Sequence, residues 1–402
     1  MAQLWQREMV GSLADFETPA VVVHQAKVVQ NIQEMAEFAR AHGVRVRPHL
    51  KTHKTWEIAE LQRAAGAVGL TCAKLGEAEV FLERGARDVL VAYPLVGPKI
   101  QRLFALQARY PEAVVQTMTD SLAQARLLSD AAVAHERRLK LWVKVDSGLK
   151  RCGITPGVAA AELVRQVVQL PGIELQGLLT HAGHAYGASS PEQVRAIGEY
   201  EAMCLLETVQ VLSDEGRGAG ETAETAGVSD VLDAASAVTW NSLAISVGST
   251  PTVRVSGAVP GVTEIRPGNY VFYDATQVQL GVVPVDRVAL RVFTRVVSRP
   301  APDRLVIDAG AKTLALDRGA HGSTTLQGYG LIVGHDDAVI ERLSEEHGVV
   351  RIPSDSPIQV GDLFEVIPNH ACPVANLTDQ LKVLQPDGTQ TVWQVIARGQ
   401  TV

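Results

Sequence analysis

The sequence predicts a closed (β/α)8 barrel of the TIM type followed by a second, mostly β domain. Between about residues 25 and 250, short β-branched runs alternate with helical stretches whose apolar residues recur at three- and four-residue spacing. Eight such runs can be counted, which suits a closed barrel better than a doubly wound sheet. After about residue 267, long helical periodicity nearly disappears, and short strand-like runs stand between Gly, Pro and Asp.

The barrel runs, in order, are Val44–Leu50, Val68–Ala73, Asp88–Tyr93, Ala113–Met118, Leu141–Asp146, Leu175–His181, Ala244–Gly248 and the short Thr263–Arg266. Helical periodicity is plainest in Lys27–His42, Leu122–His135 and Val158–Leu170. Strand–helix repetition implies parallel strands, because parallel neighbours need a crossover connection. The later strands are expected at Val278–Val285, Arg287–Ser298, Arg304–Asp308 and Leu363–Ile367. The expected division is residues 18–266 for the barrel and 267–402, with 1–17, for the β domain. A strand at Ala20–His24 could join either.

The 402 residues are 46% hydrophobic and 20% charged, a globular composition that excludes a mostly disordered chain. Lys plus Arg number 37 against 44 Asp plus Glu, so the net charge of −7 offers no global attraction to nucleic acid or an anionic membrane. No apolar run approaches the roughly 18–20 residues of a membrane span. Met1 to Phe16 has no apolar stretch suited to a secretory signal. Cys72, Cys152, Cys204 and Cys372 are widely spaced and form no CxxC, so a reduced, cytoplasmic protein is expected. Asp214 to Asp233 carries six acids and one arginine, and reads as a solvated insertion.

Four motifs bear chemistry. Arg47-Pro48-His49-Leu50-Lys51-Thr52-His53-Lys54 ends the first barrel strand, at the carboxyl edge where barrel active sites lie. So many cations this close make a poor solvated face. They can instead depress the pKa of a partly buried lysine, which then forms Schiff bases with carbonyl compounds. An exposed basic loop is the plainer alternative. Lys144 to Gly153 follows another strand and presents Arg151 at the same edge; Gly148 and Gly153 permit its turns. Gly248-Ser249-Thr250 follows a late strand, with Arg266-Pro267-Gly268-Asn269-Tyr270 downstream. Small residues and hydroxyls there suit a phosphate, although an ordinary loop looks the same. In His370-Ala371-Cys372 an imidazole and a thiol stand two apart, on one face if the segment is extended. Two such ligands plus water and a substrate oxygen would make an open zinc site; a buried structural pair is the alternative.

Together these motifs resemble the D-threonine aldolase and D-serine dehydratase family of pyridoxal-phosphate enzymes, whose N-terminal barrel is similar to that of alanine racemase (fold type III). The likeness runs from about Thr18 to Gly399. It implies that Lys51 is the lysine bonded to pyridoxal phosphate, with His49 beside the cofactor. It implies Arg151 near the ring's phenolic oxygen, Gly248, Ser249 and Thr250 as the phosphate turn, and Tyr270 as a phosphate-contacting tyrosine. His181, His184 and Tyr186 would line the pocket. His370 and Cys372 would hold a divalent metal, zinc before manganese. The implied substrate is a small D-β-hydroxy-α-amino acid, and the implied assembly is a homodimer with shared active sites. Cys372 is the dehydratase-like choice. Gly76 to Val80, Glu264 to Phe272 and Trp393 to Gly399 look more like the aldolases. The expected activity is therefore a retro-aldol cleavage to glycine and an aldehyde. A D-serine-type dehydratase is the alternative, ahead of a racemase or a non-catalytic pyridoxal-phosphate protein.

Overall fold

The computed structural model describes residues 17–222, 240–320 and 326–402. The acidic stretch 214–233 lies outside the described residues from 223 onward. Among the described residues, no helix is long and apolar enough to cross a membrane.

The chain opens with β1 (Ala20–His24), then the helix Gln25–His42. Gly43 ends that helix in the left-handed region, φ 65°, and its N–H bonds back to the carbonyls of Ala39 and Arg40. Glycine takes this conformation without the Cβ penalty other residues meet. Eight parallel strands follow: β2 (Arg45–Val46), β3 (Leu70–Cys72), β4 (Asp88–Pro94), β5 (Val114–Thr119), β6 (Leu139–Lys144), β7 (Ile173–Leu179), β8 (Ala244–Val247) and β9 (Glu264–Ile265). They run in the order β2-β9-β8-β7-β6-β5-β4-β3. Hydrogen bonds from Val68 N–H to Val46 O and from Thr71 N–H to Pro48 O join the two ends, so the barrel closes. Crossover helices such as Trp56–Ala64, Leu75–Glu83, Pro98–Arg109, Leu122–Ala134 and Val158–Val168 bury one apolar face against the strands. Local signals start them where expected: Ser121 accepts the Gln124 N–H, and Pro98 opens its helix.

The second sheet has nine strands. They are β1 with β10 (Leu290–Ala301), β11 (Arg304–Ile307), β12 (Leu331–Ile332), β13 (Val339–Leu343), β14 (Gly348–Arg351), β15 (Leu363–Ile367), β16 (Gln380–Leu384) and β17 (Gln390–Gln394). The main path is β13-β14-β11-β10-β1-β16-β17, with β15 bridging β10 and β12. Strand β10 pairs with β1 and β15 through its first half and with β11 through its second. Register shifts at Val296, Ser298 and Ala301 let it bend between the two.

The structure changes two expectations. Ala20–His24, inside the range 18–266 assigned to the barrel, is paired antiparallel with β10 and parallel with β16 in the nine-stranded sheet. Val278–Val285 is not a strand. Asp274 caps a short helix, Ala275–Gln279, by accepting the Gln277 N–H at 3.2 Å, and Gly281 turns the chain at φ 70°. A local cap has overridden β-branched composition there.

The sheet is tied to the carboxyl edge of the barrel by specific bonds. Ala275 N–H donates to Pro368 O at 3.0 Å, and the Thr276 hydroxyl to Asn369 O at 2.6 Å. Asn376, in the helix Ala371–Leu377, donates to Lys51 O at 3.1 Å. These bonds set the end of β15 directly over the first barrel loop.

Candidate active site

After β2 the chain turns through a short 3-10 segment, Leu50–Thr52, anchored by the fully buried Leu50. His49 donates its backbone N–H to Pro267 O, and its Nδ1 accepts the Lys51 N–H at 3.4 Å. The cations of this loop divide by environment. Arg47 is paired with Glu264 at 3.0 Å and with Asp88 at 2.5 Å, inside the barrel. Lys54 is paired with Glu77 at 3.0 Å. His53 is buried, and desolvation lowers its pKa to about 3. Lys51 and His49 are left facing a cavity of about 380 Å³. Burial is the main cause lowering the Lys51 pKa; the Cys372 thiolate opposes it, and the Arg151 charge adds to it. The cationic neighbour is thus Arg151, not the adjacent loop residues. His49 is held well below its ordinary range by burial, then by Lys51, Arg266 and Arg151, so it is neutral.

On the far wall stands the turn after β8. Gly248 donates its N–H to Glu201 at 3.0 Å, and its carbonyl is bonded to His181 Nδ1. A Cβ at Gly248 would lie 2.9 Å from the backbone nitrogen of Arg266, so only glycine fits. The Ser249 hydroxyl donates to Ala182 O at 3.2 Å. The Thr250 hydroxyl accepts the Tyr270 N–H at 3.2 Å and is hydrogen-bonded to Tyr186, whose phenol burial pushes far up. Arg266 lines the base of the cavity and donates to Ser246 Oγ and to Thr180 O; burial lowers its pKa to about 10.

The third wall comes from the β domain. His370 follows β15, and its Nδ1 meets Asp317 Oδ2 at 2.6 Å. Cys372 lies in the first turn of the helix Ala371–Leu377 and not on an extended segment, yet both side chains line the cavity. Its sulfur is hydrogen-bonded to the Thr52 hydroxyl at 3.3 Å. Burial alone would raise the Cys372 pKa, but the His370 charge, a hydrogen bond from His370 and Lys51 outweigh it, so the thiol is lowered. Against burial, the Cys372 thiolate and Asp317 raise His370 to about 10.

The cavity therefore brings together Lys51, His49, His181, Tyr186, Ser249, Thr250, His370 and Cys372. Four expected residues stand apart: Gly248, whose N–H is held by Glu201 behind the turn, and three others. Tyr270 is 1% exposed, and its hydroxyl accepts a bond from Gln62 at 3.0 Å inside the packed core, away from the lining. Arg151 is exposed on the loop after β6 and acts on Lys51 through its charge only. His184 packs against Gly148. Thr52, Arg266, Gly268, Asn269 and Asp317 also line the cavity. Thr52, Arg266, Gly268 and Asn269 belong to the sequence motifs, but residue type alone gives them no role. Asp317, 53 residues before His370 in the chain, carried no local signal.

Two family models cover most of the chain. The alanine racemase N-terminal domain matches residues 23–275, and the putative serine dehydratase domain matches 289–384. The chain belongs to the D-threonine aldolase and D-serine dehydratase family. Among its relatives, 3-hydroxy-D-aspartate aldolase of Paracoccus denitrificans is 30% identical over 96% of this chain and 93% of its own. D-threo-3-hydroxyaspartate dehydratase of Delftia is 29% identical over 96% of this chain and 99% of its own, and it has been solved as a cysteine mutant in a metal-free form. The solved D-threonine aldolase of Filomicrobium marinum superposes with a TM-score of 0.82 at 29% identity, covering 97% of this chain and 98% of that one. The family places the chain among pyridoxal-phosphate-dependent lyases with an alanine racemase-like barrel.

The residues fit both groups. The Ser249, Thr250 and Tyr186 hydroxyls lie together in the cavity lining and offer hydrogen-bonding groups to a phosphate, with Gly248 behind them where the turn passes the Arg266 backbone. Lys51, with its lowered pKa, faces the same cavity for a covalent link. An imidazole and a lowered-pKa thiol suit a borderline-soft divalent ion. Among the described residues no group of three His, Cys, Asp or Glu is poised around one metal, so His370 and Cys372 would leave positions open to water and substrate.

Proposed function

We propose that this chain is a pyridoxal-phosphate- and divalent-metal-dependent lyase acting on D-β-hydroxy-α-amino acids, with D-threonine aldolase activity as the leading reading. The observation that carries it is the placement of His370 and Cys372 in the same cavity as Lys51. A substrate whose amino end lies by Lys51 then has its β-hydroxyl toward the β-domain wall. Bound there, pyridoxal phosphate supplies an electron sink and zinc or manganese supplies a Lewis acid for the hydroxyl oxygen. Lys51 is the covalent attachment point and the group that moves a proton at Cα. Ser249, Thr250 and Tyr186 hold the phosphate. His49 is neutral, with Nδ1 accepting the Lys51 N–H, so it presents its other nitrogen as a donor. We also propose a homodimer, the assembly the family resemblance implies.

The dehydratase is the second reading. The match of residues 289–384 to the serine dehydratase domain and the likeness to the Delftia dehydratase favour it. It differs in which Cα bond breaks. The deciding experiment incubates the loaded enzyme with D-threonine: glycine and acetaldehyde support the aldolase, whereas 2-oxobutanoate and ammonia without glycine overturn it for the dehydratase.

A further inference from the structure

His370 ends one strand of the β domain, and the loop that faces it carries Asp317. Two features tie that loop down. Ala315 has φ 62° and ψ 178°, a conformation L-residues rarely adopt, so surrounding contacts must hold it. Asn369, the neighbour of His370, donates its side-chain amide to Asp317 O at 3.0 Å and to Gly328 O at 2.9 Å. Asn369 is itself fixed, since its carbonyl accepts the Thr276 hydroxyl at 2.6 Å. On the other side of His370, Ala371 N–H donates to the buried Asp274 at 2.9 Å. The backbone around His370 is thereby fixed from both sides.

Asp317 Oδ2 lies 2.6 Å from His370 Nδ1. A carboxylate at that distance accepts, so Nδ1 carries a proton, and Nε2 is the nitrogen turned away from Asp317. His370 is also hydrogen-bonded to Cys372; with Nδ1 on Asp317, that bond is made by Nε2–H, whose proton a bound metal would displace. We propose that Asp317 is the positioning residue of the metal site: by holding the Nδ1 proton it presents the Nε2 lone pair of His370, beside the Cys372 sulfur, to a divalent cation. Carboxylate partners of this kind fix the tautomer and orientation of ligating histidines. The inference rests on the reading of His370 and Cys372 as the metal pair.

The test is zinc binding, measured on the cofactor-loaded enzyme after stripping with a chelator, by competition against a chromophoric chelator. Asp317 is 42% exposed at its side chain, so its variants should fold, and an unchanged cofactor absorbance band checks this. Asp317→Ala should raise the zinc Kd by roughly 10–100-fold. Asp317→Asn should cost less, because an amide oxygen can accept the same proton. In the 15N spectrum of the zinc-loaded enzyme, His370 should be protonated on Nδ1 and metal-bound through Nε2 in the native chain, and mixed between the two nitrogens in Asp317→Ala. A zinc Kd for Asp317→Ala within about threefold of native overturns the proposal, as does a zinc-loaded native His370 protonated on Nε2. If native enzyme and Cys372→Ala hold zinc equally weakly, the metal pair itself is wrong, and the proposal falls with it.

Discussion

Glu201 is a buried carboxylate behind the phosphate turn, on the helix Pro191–Thr222. One oxygen accepts the N–H of Ala182 and the N–H of Gly248, each at 3.0 Å; the other accepts the Thr252 hydroxyl at 2.7 Å. It therefore joins the loop after β7, which carries His181 and Tyr186, to the loop after β8, which carries Ser249 and Thr250. Glu201→Ala strands two buried backbone donors, the Ala182 and Gly248 N–H groups, and leaves the Thr252 hydroxyl only its longer contacts with Ser249 at 3.1 and 3.4 Å. Each orphaned donor costs about 1–3 kcal/mol, and hydrogen bonds to a charged group sit at the upper end. Removing the carboxylate also relieves its own desolvation, and cavity water can reach part of the gap. A net loss of about 3 kcal/mol follows. Glu201→Gln keeps an oxygen for both backbone N–H groups, and its amide can donate to the Thr252 hydroxyl, so its cost is about 1 kcal/mol or less. Urea unfolding at constant slope would separate the two by about 2 kcal/mol, roughly thirtyfold in the equilibrium constant. The Ala variant should also bind pyridoxal phosphate more weakly than the Gln variant. If Ala proves as stable as Gln, with equal cofactor affinity, Glu201 does not organise the two loops.

Other expectations follow from the same geometry. Borohydride reduction should fix the cofactor on Lys51, as peptide mass spectrometry will report; label on Lys54 or Lys144 would refute the assignment. Chelation should abolish turnover yet leave the cofactor absorbance, and Cys372→Ala should cost at least about 100-fold in kcat, the scale of losing one catalytic metal or electrostatic contact. Folding should also respond to pH through His53, whose pKa falls from 6.5 to about 3 on burial. Its unfolded form binds a proton that the folded form refuses, so stability rises with pH across that window and is lost on acidification from about 6.5 toward 3. His53→Asn, whose amide oxygen can accept the Thr55 N–H that Nδ1 now takes at 3.1 Å, should flatten that slope in pH-dependent urea titrations.

The barrel was legible because its evidence is periodic and repeated: strands β4 to β8 each overlap a β-branched run, and the crossover helices follow the apolar spacing. Ala20–His24 was ambiguous because strand composition does not encode a partner, and its partners β10 and β16 lie some 270 and 360 residues away. Lys51, His370 and Cys372 stood out because unusual residue types cluster locally. Asp317 is an ordinary acid in an irregular loop and becomes meaningful only when folding brings it to His370. Tyr270 shows the converse: its position in a motif promised a phosphate contact, but packing turned its hydroxyl to Gln62.

The central claim is that a substrate is held between Lys51 on the barrel and the His370–Cys372 pair on the β domain. With both walls fixed, only one Cα configuration can reach the two at once, while the β-carbon is gripped by its oxygen and not by its methyl group. The most direct test is steady-state turnover of D-threonine, D-allothreonine and L-threonine by the cofactor- and metal-loaded enzyme. Both D isomers should be consumed, with a modest preference between them, and L-threonine should remain at background. Comparable turnover of L-threonine would contradict the account.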